Sequence, residues 1–128
     1  IADYGEALRL RPNDPATLNE RCWARGLWGQ ELDQALADCS TALTLQPNAA
    51  NILNSRAFVR LKRGDYQAAF DDYNASVHAN SESADSLFGR GIARIRLGQN
   101  IAGEADLAAA LARDAGIERT YEGRGVRR

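Results

Sequence analysis

The feature that most constrains this chain is an internal repeat. The stretch LNERCWAR at 18–25 returns as LNSRAFVR at 53–60 and as LFGRGIAR at 87–94, spacings of 35 and 34 residues. Other columns keep this register: Gly29, Gly64 and Gly98; Arg21, Arg56 and Arg90; Arg25, Arg60 and Arg94; and Asp3, Asp38, Asp72 and Asp106. A period of this length indicates stacked units, each of which buries its apolar face only against its neighbours.

Each unit reads as two helices joined by a tight turn. Apolar residues fall three and four positions apart, first around Leu18 and Cys22 and then around Ala35 and Cys39. A glycine with polar neighbours separates the two runs in WGQEL, RGDY and LGQN, as at a helix C-terminus followed by a turn. The pattern therefore predicts antiparallel helix pairs.

These features resemble tetratricopeptide repeats over nearly the whole chain. The resemblance lies in the spacing, the turn glycines, the endings ALRLRPN and ALTLQPN, and small or aromatic residues in the second helices. Those residues are Ala35, Cys39 and Ala42, then Ala69, Tyr73 and Ser76, then Gly103, Leu107 and Ala110. The resemblance implies an all-α fold, an α-solenoid of antiparallel helix pairs in a right-handed superhelix. Ser81 and Ala115 stand where the family's closing proline is usual.

The repeat register divides the chain into one incomplete and three full units. Residues 1–14 are expected to hold the second helix of an incomplete repeat, followed by repeats at 15–48, 49–82 and 83–115. Residues 116–128 are expected to form a C-terminal cap or tail. Because Ile1 falls inside a repeat, we expect further residues to precede it in the intact protein.

Composition narrows the classes of partner. The 16 basic and 17 acidic residues nearly cancel, and the pI of about 5.8 gives no broad basic field, so nucleic acid is a disfavoured partner. No apolar run is long enough to span a membrane. Lys62 is the only lysine among many arginines, which indicates a GC-rich bacterial source.

No motif predicts catalysis, a cofactor or a metal site. His78 is the only histidine, and no cysteine or carboxylate cluster stands near it at ligand spacing. The sequence GRGIAR at 89–94 lies within a first helix and lacks the third glycine of a phosphate loop, so its glycines are expected to permit close helix packing. We therefore predict a protein that is not an enzyme.

The two cysteines are expected to be neighbours. Cys22 and Cys39 are equidistant from the turn of the first helix pair, so they face each other across it. They can be two buried thiols filling an ordinary contact, or a disulfide that closes a loop worth about 3 kcal/mol. The choice bears on localisation, because free thiols fit the bacterial cytoplasm and a disulfide fits the periplasm or a secreted protein.

Arginines and aspartates repeat on the packing sides of the helices. Arg21 and Arg25 lie one turn apart on the side that carries Leu18, and a charge in such a seam needs a partner. We predict that each aspartate pairs with an arginine of the following unit: Asp3 with Arg21, Asp38 with Arg56, and Asp72 with Arg90. Asp106 would then bind a tail arginine such as Arg124 or mark a docking position. Solvated charges and an anion site are the alternatives.

The residue between each pair of arginines points to the opposite side of its helix. Trp23, Phe58 and Ile92 occupy this column, on the face that the resemblance implies lines a concave peptide-binding groove. The predicted groove residues are Asn19, Trp23, Asn54, Phe58, Leu61, Phe88, Ile92 and Ile95, with Lys62 and Arg96 at the edge. The alternative is that the column only packs between neighbouring first helices, and Trp28 is expected to pack under the turn.

Three function classes follow from this layout. The leading one is a protein–protein interaction module that binds a peptide or a partner helix in the groove. The second is a structural module that self-associates through the groove and the open last seam. The third, RNA binding by related helical repeats, is disfavoured by the acidic pI and by the lack of a base-reading pair in each unit. Asn19, Trp23, Ser55, Asp85 and Gly89 replace the family's carboxylate-binding residues, which disfavours a chaperone-tail adaptor.

Overall fold

The chain folds into an all-helical stack. A computed structural model describes the backbone of residues 2–128 and the side chains of residues 5–128. The helices are α1 (Ala2–Leu10), α2 (Pro15–Trp28), α3 (Leu32–Leu45), α4 (Ala50–Arg63), α5 (Tyr66–Ala79), α6 (Ala84–Arg96), α7 (Asn100–Arg113) and α8 (Ile117–Gly123). The pairs α2/α3, α4/α5 and α6/α7 stack in order, and the first helices α2, α4 and α6 also contact one another along the stack.

The repeated glycines end the first helix of each pair. Gly29, Gly64 and Gly98 have φ values of 77°, 84° and 84°, a left-handed conformation that glycine adopts without steric cost. After Gly64 the Asp65 amide returns to the Arg60 carbonyl at 2.9 Å, which closes the helix end. The glycine turns predicted from the sequence are therefore confirmed. In the first pair, which is one residue longer, Glu31 also takes a positive φ of 55°.

Close helix packing in the third pair depends on facing glycines. A Cβ on Gly91 would lie 2.9 Å from the Gly103 carbonyl oxygen and 2.8 Å from Leu107. Both glycines are buried, so the backbones of α6 and α7 approach more closely than two alanines would allow. The prediction that the glycines of GRGIAR serve helix packing is confirmed.

The apolar core runs along the stack in two clusters. One joins α1 to α4 around the cysteine pair, and the other joins α4 to α8 around Phe58, Tyr73 and Phe88. The second cluster includes Ile117, Tyr121 and Val126, so residues 117–126 are part of the core. Trp28 was expected to pack beneath the turn, but this prediction is wrong, because 53% of its surface is exposed.

Cys22 and Cys39 form a disulfide between α2 and α3. Their Cα atoms lie 5.7 Å apart, and both residues are fully buried. Of the two readings left open by the sequence, the structure therefore contains the disulfide. It links the two helices of the first pair across a sequence separation of 17 residues.

Reduction of this disulfide is expected to lower the free energy of unfolding by about 3 kcal/mol, because a short closed loop is released in the unfolded chain. Urea unfolding with and without a phosphine reductant measures the difference. A thiol count on denatured, non-reduced protein should find no free thiol. Two free thiols, together with no effect of the reductant, would contradict the linkage.

Each buried aspartate binds two arginines of its own helix pair. Arg21 donates from Nε and Nη2 to the two carboxylate oxygens of Asp38 at 2.7 and 2.6 Å, and Arg25 Nη1 donates at 2.8 Å. The same geometry, at 2.8 to 2.9 Å, joins Asp72 to Arg56 and Arg60, and Asp106 to Arg90 and Arg94.

The predicted pairing between units is therefore wrong for Asp38 with Arg56 and for Asp72 with Arg90. The reason is the antiparallel geometry that also joins the cysteines, because Asp38 lies as far from its turn as position 23, which the two arginines of the same helix pair flank. Two of these arginines also contact neutral groups of the preceding unit, since Arg56 Nη1 donates to Ser40 Oγ at 3.4 Å and Arg90 Nη1 to Asn74 Oδ1 at 3.0 Å.

Two related predictions concern the first and the last aspartate of the repeated column, Asp3 and Asp106. Asp3 lies outside the residues whose side chains are described, and Arg21, its predicted partner, binds Asp38. Asp106 was expected to bind a tail arginine such as Arg124, but it binds Arg90 and Arg94, and Arg124 binds Asp85. The last aspartate thus needs no further repeat to balance its charge.

Candidate binding groove

The predicted groove residues lie along the first helices, in a surface that we call the first-helix groove. It consists of Asn19, Trp23, Asn54, Phe58, Leu61, Phe88, Ile92 and Ile95, from α2, α4 and α6. The Trp23 and Phe58 rings are 4.9 Å apart, so the column is continuous from the first pair to the second. Trp23 is half-buried, whereas Phe58 and Ile92 are fully buried.

The apolar part of this groove is filled by residues 117–128, which we call the C-terminal segment. Tyr121 of α8 lies between two groove aromatics, with ring centroids 5.0 Å from Phe88 and 6.2 Å from Phe58. Its side chain is fully buried, as are those of both phenylalanines. The sequence predicted an open apolar groove, but the chain covers it with its own last helix.

The Tyr121 hydroxyl fixes the position of α8. It lies 2.8 Å from the Asp85 carbonyl oxygen, 2.9 Å from Asp85 Oδ1 and 3.1 Å from the Tyr73 hydroxyl. A phenol carries one proton, so Tyr121 donates to Asp85 and accepts from Tyr73. A buried hydroxyl satisfied in this way specifies the depth of the ring as well as its orientation.

Tyr73 reaches this site from a second helix because of a glycine. A Cβ on Gly89 of α6 would overlap the Tyr73 ring, so only glycine leaves space for the phenol to pass. The Tyr73 side chain is fully buried along this path. The absence of a side chain at Gly89 therefore lets Tyr73 extend from the interior of the stack to the first-helix groove.

Burial raises the pKa values of both phenols. Desolvation is the main cause for Tyr73 and for Tyr121, and the negative charge of Asp85 acts in the same direction on each. Both side chains therefore remain protonated in the folded protein well above the pH at which an exposed tyrosine ionises. The hydrogen-bonded contact of Tyr121 with Tyr73 and Asp85 thus persists over a wide pH range.

Above a pH of about 10 the free energy of unfolding is expected to fall, by up to about 1.4 kcal/mol per pH unit for each of these two tyrosines. The folded state keeps both phenol protons, whereas the unfolded state loses them. The stabilisation from these tyrosines is therefore fully present below their pKa in the unfolded chain and decreases as the pH rises through that value. Urea unfolding across this range measures the slope. The variant Tyr73→Phe/Tyr121→Phe should flatten it, and an unchanged slope would contradict the assignment.

Arg124 joins the C-terminal segment to the first and third helix pairs. Its guanidinium donates to both carboxylate oxygens of Asp85 at 2.8 and 3.1 Å and stacks 4.8 Å from the Trp23 and Tyr121 ring centroids. Burial tends to lower its pKa, but the hydrogen bonds and charge of Asp85 outweigh burial and raise the pKa. Arg124 therefore stays charged in a half-buried position.

The predicted basic edge of the groove binds backbone carbonyls of the C-terminal segment. Lys62 Nζ donates to the Arg124 carbonyl at 2.6 Å, and Arg96 Nη2 donates to the Arg127 carbonyl at 2.6 Å. Between these contacts lies Gly125, with φ of 86° and a Cβ position only 3.0 Å from Lys62 Nζ. Both basic residues thus hold the segment in place.

The sequence prediction of the groove residues divides into two groups. Phe58, Leu61, Phe88 and Ile92 are buried under or beside the C-terminal segment, and Ile95 packs toward Gly103 in the α6/α7 interface. Asn19, Trp23 and Asn54 are half-buried at the other end of the groove. Sequence reasoning placed Asp85 on the groove as a replacement of a carboxylate-binding residue, but it missed Tyr73 and Tyr121 as parts of this surface.

An open cavity of about 360 Å³ adjoins Trp23 at this other end. Its lining around the indole consists mainly of polar residues and includes two carboxylates, from Glu20 and Asp85. None of the described residues that line the cavity is a lysine or an arginine. The remaining lining residues are Asn19, Ala50, Asn51, Asn54, Ser55, Ser76, Asn80, Ser83 and Ser86. Because Asp85 is already paired with Arg124, Glu20 supplies the remaining negative charge, and together with the amides and hydroxyls it favours a group rich in hydrogen-bond donors.

Hydroxyl groups fix the floor of this cavity. Ser76 Oγ donates to the Ala50 carbonyl at 2.8 Å and lies 2.8 Å from Ser86 Oγ, which donates to Asn54 Oδ1 at 2.9 Å. This chain of hydrogen bonds orients the Asn54 amide, whose Nδ2 lies 3.4 Å from Asp85 Oδ1. The polar surface is thus preorganised by α4, α5 and α6.

Other kinds of site find little support in the described part of the chain. Within residues 5–128, no group of three or more His, Cys, Asp or Glu side chains could hold a metal ion. His78 is exposed, and its Nδ1 lies 2.8 Å from the Asn74 carbonyl of its own helix. Over residues 2–128, no helix has the length and apolar character needed to cross a membrane.

The fold is similar to those of several solved structures. Two crystal structures of MamA match 95% and 97% of this chain and 71% of their own length, with TM-scores of 0.79 and 0.76 at 18% and 19% identity. A tetratricopeptide repeat protein from Parabacteroides merdae matches 94% of this chain and 48% of its own length, with a TM-score of 0.74 at 26% identity. No protein-family model matches the chain, and neither does any curated protein sequence.

The fold is that of a tetratricopeptide-like α-solenoid, which confirms the class that the sequence resemblance implied. In such solenoids each helix pair contacts only its neighbours, and the stack presents an extended surface that generally serves as a scaffold for protein interactions.

Proposed function

We propose that the protein is a non-enzymatic interaction module that binds a protein segment in the first-helix groove. The observation that carries this proposal is the open cavity beside Trp23, at the end of the groove that the C-terminal segment leaves uncovered. A half-buried indole next to oriented amides and carboxylates offers both apolar contact and directional hydrogen bonds. A partner would therefore enter the groove at this end.

The chemistry of the groove supports binding over catalysis. Asp85 is engaged structurally, since it accepts from Arg124 and Tyr121. Its buried phenols have raised pKa values, and both are hydrogen-bonded. Among the described residues, the cavity lining contains no histidine, cysteine or lysine side chain. These groups position a ligand but offer no group poised for proton or acyl transfer.

A charge placed at the cavity tests this proposal. Asn51 is exposed and lines the cavity, whereas Ala37 is exposed on the neighbouring second helix α3. Affinity capture from the source organism with wild type and Ala37→Lys should recover the same partner, and Asn51→Lys should lose it. Recovery of the same proteins by wild type and by both variants would contradict binding at this end of the groove.

Self-association through the same groove is the second candidate, but its apolar part is already covered by the C-terminal segment. Exposed apolar side chains lie instead at Trp28 and at Ile101, which is 91% exposed. Sedimentation at several concentrations separates the two functions. A tight dimer that forms without any ligand would favour self-association.

A further inference from the structure

The C-terminal segment shows which chemistry the first-helix groove accepts. Tyr121 places its ring between Phe58 and Phe88, and its hydroxyl donates to Asp85. Arg124, three positions later at the C-terminal end of α8, stacks on the half-buried Trp23 indole and pairs with the same aspartate. The groove thus binds an aromatic side chain and a guanidinium one helical turn apart.

The chain turns away from the cavity beside Trp23 directly after Arg124. Gly125 adopts a left-handed φ, its amide bonds the Glu122 carbonyl at 3.0 Å, and the Val126 amide bonds the Tyr121 carbonyl at 3.0 Å. These are the paired hydrogen bonds that end a helix at a left-handed glycine. The segment then returns toward α6 and α7, where Arg128 binds Glu104 at 2.6 Å. Among the described residues, none of the C-terminal segment lines the cavity beside Trp23.

We propose that the partner of this groove is a helical segment of another protein with an aromatic residue followed, three positions later, by an arginine. It takes the place of residues 117–126 and continues past its arginine into the open cavity. This inference rests on the proposed function and specifies its ligand. The feature that favours another protein over a second copy is Gly125, because a second copy's segment makes the same turn and leaves the cavity empty.

Displacement requires contacts that the internal segment does not make. The C-terminal segment is part of the same chain and competes for the groove at a high effective concentration. An external helix that makes only the same contacts therefore does not displace it. A partner that also reaches Glu20 and the cavity amides binds the open state with additional hydrogen bonds and charge attraction. Because these lining groups accept from cations and N–H donors, a lysine or a carboxamide is expected directly after the arginine.

The test uses three labelled peptides and the full chain. The first peptide has the sequence of residues 115–124 followed by Lys-Asn-Gln, the second has the sequence of residues 115–128, and the third is the first with alanine in place of its tyrosine and last arginine. Fluorescence anisotropy measures binding to wild type and to Arg124→Ala, which loosens the C-terminal segment while Tyr121 remains. Lys62→Ala, which removes the hydrogen bond to the Arg124 carbonyl and the ammonium group over the Phe58 ring, is a second loosening variant in case the first does not fold.

The first peptide is expected to bind Arg124→Ala about tenfold or more tightly than wild type, since the open fraction limits the apparent affinity. It should also bind more tightly than the second peptide, and the alanine peptide should not bind. Equal affinity for wild type and the loosened variant, or equal binding by the alanine peptide, would overturn the proposal.

Two further results distinguish this proposal from self-association and from the proposed function alone. A wild-type dimer that is dissolved by the second peptide would assign the groove to a second copy and overturn the partner assignment. If the peptides fail to bind while Asn51→Lys still abolishes partner capture, the proposed helical ligand is wrong. The proposed function, binding of a protein in the groove, is then still supported.

Discussion

Replacement of Asp72 by alanine is expected to lower the free energy of unfolding by about 3 to 5 kcal/mol, because it leaves two partly buried guanidinium groups without their carboxylate. The Asp72 side chain is only 6% exposed and accepts three hydrogen bonds from Arg56 and Arg60. Urea unfolding followed by circular dichroism measures the loss. Asp71→Ala is the matched control, since Asp71 is the exposed neighbour on the same helix and should change stability by about 0.5 kcal/mol at most.

A double-mutant cycle identifies the partner of Asp72. Combination of Asp72→Ala with Arg56→Ala should give a large coupling energy, because the two side chains share two hydrogen bonds. Combination with Arg90→Ala should give almost none, because Arg90 binds Asp106. Strong coupling to Arg90 would restore the pairing between units and contradict the structure.

Replacement of Tyr121 by alanine is expected to cost about 3 to 5 kcal/mol of stability, the loss typical of a large aromatic side chain removed from a core. The ring is fully buried between Phe58 and Phe88, and its loss also exposes the Tyr73 hydroxyl to a cavity. Thermal and urea unfolding measure the effect. Tyr121→Phe keeps the ring and should lose about 1 to 3 kcal/mol, from the unsatisfied hydrogen-bonding groups alone.

Arg119→Ala serves as the control for this prediction, since Arg119 lies on the exposed side of the same helix. Its effect should stay within about 0.5 kcal/mol. If Tyr121→Ala proves as stable as Arg119→Ala, the C-terminal segment does not pack in the first-helix groove.

The helix pairs could be predicted because every unit repeats the same local signals. Apolar residues at helical spacing and a glycine after each first helix are short-range features, and Gly29, Gly64 and Gly98 adopt the conformation that such turns require. The rule that residues equidistant from a turn face each other placed Cys22 beside Cys39 correctly.

The ion pairs show where helical periodicity becomes insufficient. The pattern assigned Arg21 and Asp38 to packing faces, but a helix face in a solenoid contacts both its own partner helix and the next unit. Periodicity does not distinguish these two neighbours. The equidistance rule places Asp38 opposite position 23, midway between Arg21 and Arg25, and so indicates the two arginines of its own helix pair.

The occupant of the groove was missed because it lies outside the repeat register. Residues 117–128 are rich in charge and glycine, so their composition suggested a tail. A weak signal was present, since Ile117 and Tyr121 are four residues apart and Gly125 follows at the position of a helix end. What the sequence could not show is that Tyr73 passes Gly89 to meet this helix, because that contact joins residues separated by 48 positions.

The most direct test of the account is whether Tyr121 lies in the first-helix groove in solution. Nuclear Overhauser effects between the ring protons of Tyr121 and those of Phe58 and Phe88 measure this contact without any substitution. The account predicts cross-peaks to both rings, since the centroids are 6.2 and 5.0 Å apart. Random-coil shifts for Tyr121 with no cross-peak to either phenylalanine would show that the groove is open and would contradict the account.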